Sequence, residues 1–495
     1  MILLTAGGEK LRKTAALSDD MIRAIDHWER LYNGEATWKK DDSPSSMNLP
    51  CKIAYEIATK VTNEAKIRIQ ESGKQEASGE KPAETVVLQS AKKSGEKQKA
   101  KQARWQYIDK VFEPIRKRLA IYTEYACAFG GICFKPYLNG KNEISVSVYT
   151  ASRFYPTAFT AAQTIQSGFF IDQKKIGDCW YCRVELHEWD GVSKYKVTNT
   201  CYKSSAKDSL GNQCPLSEVE DWSNLVPVTT MDGITSPLFA YFGIPIGNTI
   251  DQTSPLGVSV YCRANDSIKE ADKQFNRLLW EYEAGEIAVD VSEDALCIDE
   301  QGKPKLPDGK ERVFRVNSIP VNNSELLKIF APTLRDSSYT TGIQTILKIV
   351  EDDAALARGT FSDPEKDTKT ATEVKQQKWR TYDTVSKIQG ALDDALKDLA
   401  RSIDAMITLY NLCPAGQWEY SASWDDSVLE DSDTERMNDR EDVSAGLMME
   451  WEYRVKWYGE TEEQAKKILE ENKPKSDDAI LGFGTEPTAG AGAAK

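Results

Sequence analysis

The spacing of hydrophobic positions predicts helices in the N-terminal part of the chain. Apolar residues recur every three or four positions over residues 18–32 and 49–65, as in amphipathic helices. Ser18 is a favourable N-cap for the first of these helices, and Gly34 is a favourable stop. A third helix is predicted over residues 104–128. We expect the apolar faces of these helices to pack against a common core.

The central part of the chain has the pattern of β-strands. Between residues 132 and 245, short or alternating apolar runs are separated by Gly, Asn and Asp, including Asn-Gly and Asp-Gly turn signals. We therefore predict a β-rich body with helices around it. Residues 71–102 are rich in Lys, Glu, Gln, Ser and Gly, and cannot bury enough apolar surface to offset their ordering entropy. We expect them to form a mobile insertion.

Helical periodicity returns in the second half of the chain. Ser254 and Pro255 predict a helix start, and apolar residues then alternate at spacings of three and four as far as Gly285. A narrow seam with charged flanks favours helix-on-helix packing, with the partner helix in the same chain or in a neighbouring subunit. The seam residues that we expect to pack are Ile268, Phe275 and Tyr282.

A short β-type module is predicted next, over residues 286–335, with AVDVSEDALCI and ERVFRVN as its strands. The following helix covers residues 336–358 and carries Leu347 and Val350 on its apolar face. A polar loop over residues 359–369 separates this helix from the next.

A long helix begins at the capping box TATE, whose first residue is Thr370, and extends to Leu412. At 1.5 Å per residue it would be roughly 60 Å long, enough to cross a domain. After it we predict a short strand (GQWEYSASW) and an acidic run over residues 425–442. Two helices follow, over residues 447–458 and from Thr461, and then a disordered tail.

Composition excludes several classes of function. The 495 residues include 63 Lys and Arg against 77 Asp and Glu, a formal net charge of −14, which argues against a coat that neutralises nucleic-acid phosphates. His27 and His187 are the two histidines, too few for a multi-His metal site and unfavourable for histidine catalysis. No apolar run approaches the ~18–20 residues of a membrane span, and the N-terminus lacks a signal-peptide core. We expect a soluble, intracellularly made, non-catalytic protein.

The ten cysteines are expected to be reduced structural thiols, as in a large chain that is not secreted. Cys179 and Cys182 resemble half of a zinc knuckle or a redox motif, which is the alternative. Their sequence context alternates like a strand, where residues three apart point to opposite faces. Cys201 and Cys214 are separated by twelve residues and complete no metal motif.

Signatures of common enzyme sites are missing from the sequence. It contains no GxxxxGK[ST], GxGxxG after a strand, GxSxG, HExxH or EF-hand loop. The acidic pair Asp352-Asp353 lies on a predicted helix, where adjacent side chains diverge by about 100°. The sequence therefore favours a mechanical or scaffolding role without a cofactor.

Several strings, taken in order, resemble the portal proteins of tailed bacteriophages, in particular the long-tailed siphophage type of Gram-positive hosts. These strings are IDHWERLYNGEATW, LAIYTEYACAFGGICFKPYL, SRFYPTAF, GIPIGNTIDQTSPLGVSVYCRANDSIKEAD and KTATEVKQQ. The resemblance covers about residues 18–412. It implies an α+β portal fold that assembles as a ring.

The resemblance implies a division of the chain into portal domains. These are the wing over residues 1–253 with its insertion at 71–102, stem helix 1 at 254–285, the clip at 286–335, stem helix 2 at 336–358, the tunnel loop at 359–369, the long wing helix at 370–412, the crown at 413–475 and a flexible tail at 476–495.

The resemblance also implies partners and a location. Portals are twelve-subunit rings at one capsid vertex, assembled in the host cytoplasm, through which a terminase packages double-stranded DNA. The DNA later leaves through the same channel, and a head-completion adaptor docks at the clip. Major capsid and scaffolding proteins would be further partners, and no membrane is involved.

Candidate site residues follow from the same resemblance. Lys366 and Lys369 in the tunnel loop would be the DNA-proximal cations, with a solvated loop as the alternative. Glu351, Asp352 and Asp353 would line the channel and repel DNA, with a solvated acidic face as the alternative. An acidic lining suits low-friction DNA passage, because a channel of many cations would bind phosphates and stall the DNA. The expected stem-packing residues are Ile268, Phe275, Tyr282, Leu347 and Val350.

Two other functions are compatible with the sequence. One is an oligomeric head-tail connector or scaffold component that does not thread DNA. The other is an enzyme, such as a nuclease or protease, fused to a β-rich domain. The first predicts no central DNA channel, and the second predicts a metal-dependent activity.

Overall fold

The computed structural model describes residues 8–39, 45–72, 103–285, 288–292, 297–298, 304–305, 314–317, 327–364, 371–424, 432–458 and 460–471. The chain divides into two compact units. The first comprises residues 1–72 and 98–425, and the second comprises residues 73–97 and 426–495.

Helices alternate with strands along the described chain. The helices of the first unit are α1 Glu9–Thr14, α2 Asp19–Tyr32, α3 Leu49–Thr62, α4 Arg104–Lys117, α5 Leu119–Phe129, α6 Asn265–Ala284, α7 Asp336–Asp353 and α8 Ala371–Leu409. Those of the second unit are α9 Ser432–Ser444, α10 Glu450–Tyr458 and α11 Glu462–Glu471.

The strands that the structure describes all lie in the first unit. They are β1 Ala65–Gln70, β2 Gly131–Leu138, β3 Ile144–Thr150, β4 Phe154–Phe159, β5 Ile165–Ile176, β6 Cys179–Trp189, β7 Lys194–Ser204, β8 Asn212–Cys214, β9 Val228–Asp232, β10 Ala240–Gly243, β11 Ala288–Ser292, β12 Cys297–Ile298, β13 Pro304–Lys305, β14 Phe314–Asn317, β15 Leu327–Phe330 and β16 Glu419–Trp424. The mixed α+β fold class is confirmed.

The β-rich body consists of antiparallel sheets. One sheet has the order β4-β5-β6-β7-β8, with β9 also paired to β7, and a second has the order β10-β2-β3. Helix α8 packs against β10, β2 and β3, and against the N-terminal helix α3. Its core-facing side chains are fully buried, among them Leu396, Leu399 and Ile403. The predicted long helix is confirmed at 39 residues, although its predicted cap Thr370 lies outside the described residues.

The first N-terminal helix forms as its sequence pattern predicts. The Ser18 hydroxyl oxygen accepts a hydrogen bond from the backbone N–H of Met21 at 3.3 Å, so it caps α2. The apolar stripe of α2, including Ile25 and Trp28, is fully buried. This helix is therefore stabilised both by its own cap and by burial of one face.

The segment predicted as one helix over residues 104–128 is instead two helices. The backbone leaves helical geometry at Arg118, where φ is −117° and ψ is 11°, between α4 and α5. Helix α4 also contains Pro114, which has no N–H to donate to the preceding turn. Helix α5 then ends at Gly130 with φ of +86°, and a Cβ there would lie 2.5 Å from the carbonyl oxygen of Gly257.

The helix predicted to begin at Ser254 begins later in the structure. Helix α6 starts at Asn265, not at Ser254, whose hydroxyl accepts a hydrogen bond from the backbone N–H of Leu256 in a local turn. The Val260 N–H donates to the Cys127 carbonyl, and the buried Tyr261 hydroxyl donates to a carbonyl of α2. Tertiary hydrogen bonds therefore override the local helix-start signal. Helix α7 likewise ends at Asp353, before the predicted residue 358.

Strand β1 is absent from the sequence predictions and pairs with β16 in an antiparallel register from Ala65–Trp424 to Gln70–Glu419. Residues 65–70 and 419–424 therefore belong to one sheet of the first unit. Strand β16 therefore lies in the first unit, which extends to Asp425, and the predicted crown boundary at residue 413 stays a prediction.

The predicted β-type module between α6 and α7 is confirmed. Strand β11 pairs in parallel with β14 and antiparallel with β15, and β12 pairs with β13. The Asp308-Gly309 turn lies outside the described residues.

The second unit is helical. Helix α10 packs against both α9 and α11. Thr461 and Gln464 form the predicted capping box, since each side chain accepts a hydrogen bond from the other residue's backbone N–H, at 3.3 and 3.1 Å. Helix α9 was not predicted, because its sequence was interpreted only as an acidic run. Most of the predicted insertion and the predicted tail lie outside the described residues.

Candidate functional site

Helices α6 and α7 form an antiparallel hairpin. At one end the Ser267 hydroxyl donates to the Asp353 carboxylate at 2.7 Å, which joins the start of α6 to the end of α7. At the other end Arg335 donates to the Glu281 carboxylate at 2.7 Å, which joins the end of α6 to the start of α7. The strands β11–β15 lie in the sequence between these two helices. The hairpin thus presents a β-module at one end and the α7–α8 loop at the other.

The seam residues differ in burial along the hairpin. Ile268, Leu347 and Val350 are buried, as expected of residues that pack within the chain. Phe275 is half-buried. Tyr282 is 45% exposed, so within one chain its predicted packing is not formed. The apolar contact between the helices is therefore strongest near the α7–α8 loop and weakest near the β-module.

Large apolar side chains are exposed on helices α6, α7 and α8. Trp280 of α6 is 61% exposed, Ile349 of α7 is 47% exposed and Trp379 of α8 is 66% exposed. Exposed apolar side chains that form one contiguous patch mark interaction surfaces, whereas single ones are common. These residues, together with Tyr282, are called the exposed stem set below.

Glu351 lies at the last turn of α7 and is fully buried. Its carboxylate accepts backbone hydrogen bonds from Gly359, Phe361 and Ser362, at 3.1, 2.5 and 2.7 Å. The Ser362 hydroxyl donates a fourth, at 2.8 Å. The predicted channel-lining role of Glu351 is wrong, because its side chain has no exposed surface within one chain and so cannot face a channel. Glu351 instead organises the start of the loop after α7.

The two neighbouring acids also have partners within the chain. Asp352 accepts from Arg358 and from Arg380, each at 2.7 Å. The hydrogen bond and charge of Arg358 lower the pKa of Asp352, with a smaller contribution from Arg380. Asp353 accepts from Ser267. These acids therefore neutralise local cations or join elements, and Asp352 keeps a partly exposed carboxylate.

Two further side chains fix the loop backbone. The Thr381 hydroxyl of α8 accepts from the Ala357 N–H at 2.8 Å, and the Gln344 amide oxygen of α7 accepts from the Asp363 N–H at 2.7 Å. Residues 354–364 are thus held by both flanking helices. The predicted DNA-proximal cations Lys366 and Lys369 lie outside the described residues.

A second buried acid anchors the other side of the hairpin. Asp272, on the apolar stripe of α6, accepts from the Trp38 indole N–H, the Ser46 hydroxyl and the Met47 N–H, at 3.0, 2.9 and 2.9 Å. This carboxylate ties the segment before α3 to α6. Its position four residues after Ile268 was the available sequence signal, because an acid on an apolar stripe is buried only when it has donors.

The described residues contain no cluster of His, Cys, Asp or Glu able to hold a metal ion. Cys179 and Cys182 lie in different apolar clusters on opposite faces of β6, as the strand pattern predicts. Among the helices in the described part of the chain, none has the length and apolarity needed to cross a bilayer.

The family described as "Phage portal protein, SPP1 Gp6-like" matches residues 18–477 of this chain. The chain belongs to the phage portal protein family. The match begins at the N-cap of α2 and includes the β-rich body, the α6–α7 hairpin, α8 and the helices of the second unit. No individually curated protein matches the chain.

Membership of this family establishes the general role. Phage portal proteins are structural components of the virion capsid that oligomerise with copies of themselves and act in genome packaging. The resemblance seen in the sequence is therefore confirmed at the level of the family, and the host type stays a prediction.

Proposed function

We propose that this portal protein forms a twelve-subunit ring around a channel at one capsid vertex. A terminase packages double-stranded DNA through the channel, and the DNA is later ejected along the same path. The observation that carries this proposal is the antiparallel α6–α7 hairpin, which is buried near the α7–α8 loop and bears exposed aromatic residues near the β-module. Such a hairpin would pack side by side with its copies as the ring's stem.

The exposed stem set supports subunit contacts at this place. A ring is built from heterologous interfaces, in which one face of a subunit covers a different face of the next. Interfaces of this kind concentrate aromatic side chains at their centres. We infer that Trp280 and Tyr282 lie against the neighbouring hairpin, and that Phe275 loses its remaining exposure in the same contact.

The α7–α8 loop is proposed as the tunnel loop. Its first part is held rigidly by Glu351, Gln344 and Thr381. Lys366 and Lys369 follow this anchored part, and we propose that they contact DNA phosphates as the genome passes. Few cations suffice here, because many would bind the DNA too tightly for it to move.

The β-module β11–β15 is proposed as the clip, where the terminase and later the head-completion adaptor dock. Capsid and scaffolding proteins would contact the outer part of the ring, and assembly would take place in the cytoplasm of a Gram-positive host infected by a long-tailed phage. These assignments rest on family membership and on the place of the module between the two hairpin helices.

Electron microscopy of the purified full-length chain tests the proposal. We expect closed rings with a central channel wide enough for double-stranded DNA, about 20 Å, and twelve-fold symmetry in class averages. Particles that are monomeric, filamentous or closed without a channel would overturn it. A ring that forms normally but is dispensable for DNA packaging would favour a connector that does not thread DNA.

A further inference from the structure

The edge of the six-stranded sheet brings two cysteines together. Cys201 of β7 and Cys214 of β8 are direct partners in the antiparallel register, and their Sγ atoms are 3.3 Å apart. Both are free thiols. Directly opposed residues on antiparallel strands have Cα atoms about 4.5–5.5 Å apart, within the roughly 4.4–6.8 Å that a disulfide spans. The bond can therefore form without breaking the strand pairing.

We propose that Cys201 and Cys214 are a cross-linking site that forms a disulfide on contact with a small disulfide oxidant, such as oxidised glutathione. The cross-link would join the edge strand β8 covalently to β7. Nothing in the portal role requires this site, so the inference goes beyond the proposed function.

The exposure of the two thiols sets the order of the steps. Cys201 is buried, with 1% of its surface exposed, whereas Cys214 is half-buried. The Cys214 thiolate attacks one sulfur of the oxidant, forming a mixed disulfide and releasing one small thiol. Cys201 then loses its proton to solvent and attacks the Cys214 sulfur, releasing the second small thiol. The protein loses two electrons and two protons, and the oxidant gains them as two thiols.

The second step is the slow one. Burial, and then the hydrogen bond from Cys214, raise the pKa of the Cys201 thiol to about 12. Since only a thiolate attacks a disulfide, closure should accelerate as pH rises. The same burial shields the finished bond from reductants.

The cross-link would secure a weakly held part of the fold. Strand β8 has three residues and is followed by short 3₁₀ turns, whose Trp222 packs in one apolar cluster with Cys201. Gly211 precedes β8 with φ of +73°, and a Cβ there would lie 1.9 Å from the Lys203 carbonyl oxygen. A short edge strand has few ladder hydrogen bonds and opens easily.

A portal in a released virion has left the reducing cytoplasm, where thiols are kept reduced.

Peptide mapping of the full-length protein tests the cross-link without any mutation. The protein is equilibrated with oxidised glutathione, its remaining thiols are alkylated, and it is digested with trypsin without reduction. Lys203 and Lys207 lie between Cys201 and Cys214, so trypsin separates these two cysteines. Trypsin leaves Cys214 and Cys262 in one peptide, and a second digestion with Glu-C, which cleaves after Glu218, separates them. A bond between Cys201 and Cys214 then appears as a linked peptide pair. We expect the Cys201 and Cys214 peptides to be linked, with a mass two hydrogens below the sum of the two reduced peptides. The linked pair should form faster at pH 9 than at pH 7.

A thermal-unfolding series tests the structural consequence. Oxidation should raise the unfolding midpoint of the wild type and of the matched control Cys179→Ser. Oxidation should leave the midpoint of Cys214→Ser unchanged. Position 214 is chosen for the change because it is half-buried and tolerates serine better than the buried position 201. Recovery of both peptides in alkylated form after oxidation, or linkage of Cys214 to any other cysteine, would overturn the proposal. Either result would leave ring formation unaffected and so would not bear on the portal role.

Discussion

At the scale of single residues, buried carboxylates act as structural anchors. Glu351 and Asp272 both lie on apolar stripes, each four residues after a buried aliphatic side chain. Glu351 accepts mainly from backbone N–H donors, whereas Asp272 accepts from one backbone N–H and two side-chain donors, all in non-helical segments. Hydrogen bonds to a charged acceptor are stronger than neutral ones, and leaving such donors unpaired is costly. The two acids therefore position the segments on either side of the hairpin.

The first prediction concerns Glu351→Gln. The amide keeps one acceptor oxygen but turns an NH₂ group toward N–H donors, so at least one backbone donor loses its partner. We expect the free energy of unfolding to fall by about 1.5–3 kcal/mol. Urea denaturation checks this, with exposed Glu283→Gln in α6 as the matched control. Equal stability of the two variants would mean that the loop does not depend on Glu351.

A second prediction concerns a buried charged cluster in the β-rich body. His187 is buried, with Nε2 2.9 Å from Glu185 and Nδ1 2.8 Å from the Tyr195 hydroxyl. Burial lowers the pKa of His187, against the opposing effect of Glu185. Burial would raise the pKa of Glu185, but its charged partners, Lys135 first, hold it well below its ordinary value.

Both shifts have the same consequence for stability. The unfolded chain binds protons at the ordinary pKa values, about 6.5 for His and about 4.3 for Glu. The folded chain binds them only at lower pH. The contribution of these two groups to the free energy of unfolding is therefore complete above pH 6.5 and is lost as the pH decreases. The slope for His187 should approach about 1.4 kcal/mol per pH unit. In His187→Gln, the free energy of unfolding should depend less steeply on pH between pH 6.5 and 5.5 than in the wild type. An unchanged slope would contradict this account.

At the scale of elements, the α6–α7 hairpin separates contacts within the chain from contacts between chains. Leu347 is 4% exposed and packs in the core, whereas Trp280 of the exposed stem set is 61% exposed. Truncating Leu347 should lower the stability of the single chain, and truncating Trp280 should weaken assembly. The hairpin therefore offers a paired test of where the subunit interface lies.

The third prediction is that Leu347→Ala lowers the free energy of unfolding by about 2–5 kcal/mol, through lost burial and a cavity. Trp280→Ala should change it by less than about 0.5 kcal/mol in the dissociated chain, because the side chain is exposed. The same change should reduce the fraction of rings at a fixed concentration. Light scattering after size exclusion measures this, with the exposed Val192→Ala as control. Normal rings from Trp280→Ala would remove this residue from the interface.

At the scale of the whole molecule, three of the acids that contribute to the negative net charge have partners within the chain. The three acids at the end of α7 are buried or paired with Arg358, Arg380 and Ser267. They join elements of one chain and do not form a row of free carboxylates. Asp352 and Asp353 both keep partly exposed side chains, so any repulsion of DNA at the end of α7 would come from these two residues.

The fourth prediction follows from the proposed tunnel loop. The double change Lys366→Glu and Lys369→Glu should leave ring formation intact and reduce packaged or retained DNA per particle, because repulsion replaces phosphate contacts. The matched control is Lys141→Glu, at the exposed β2–β3 turn. Quantification of DNA in purified particles checks the result. Wild-type DNA content in the double variant would count against the assignment.

Local signals in the sequence predicted the elements that are stabilised locally. The Ser18 cap, the Thr461–Gln464 capping box and the long apolar stripe of α8 all depend on neighbours within a few turns of the same helix. Their residue types and spacings were sufficient. The Ser254-Pro255 signal was equally strong but failed, because hydrogen bonds to Cys127 and the close approach of Gly130 hold that segment in another conformation.

The sequence by itself determined the fold class, the order of the helices and β-rich segments, and the family, since each depends on periodicity or on strings in order. Only the tertiary structure decided the pairing of β1 with β16, the anchoring role of Glu351 and the contact between Cys201 and Cys214. The physical reason is the same in each case. A hydrogen bond or thiol contact between separate elements depends on how the chain packs, and the spacing of residues along one element does not encode it.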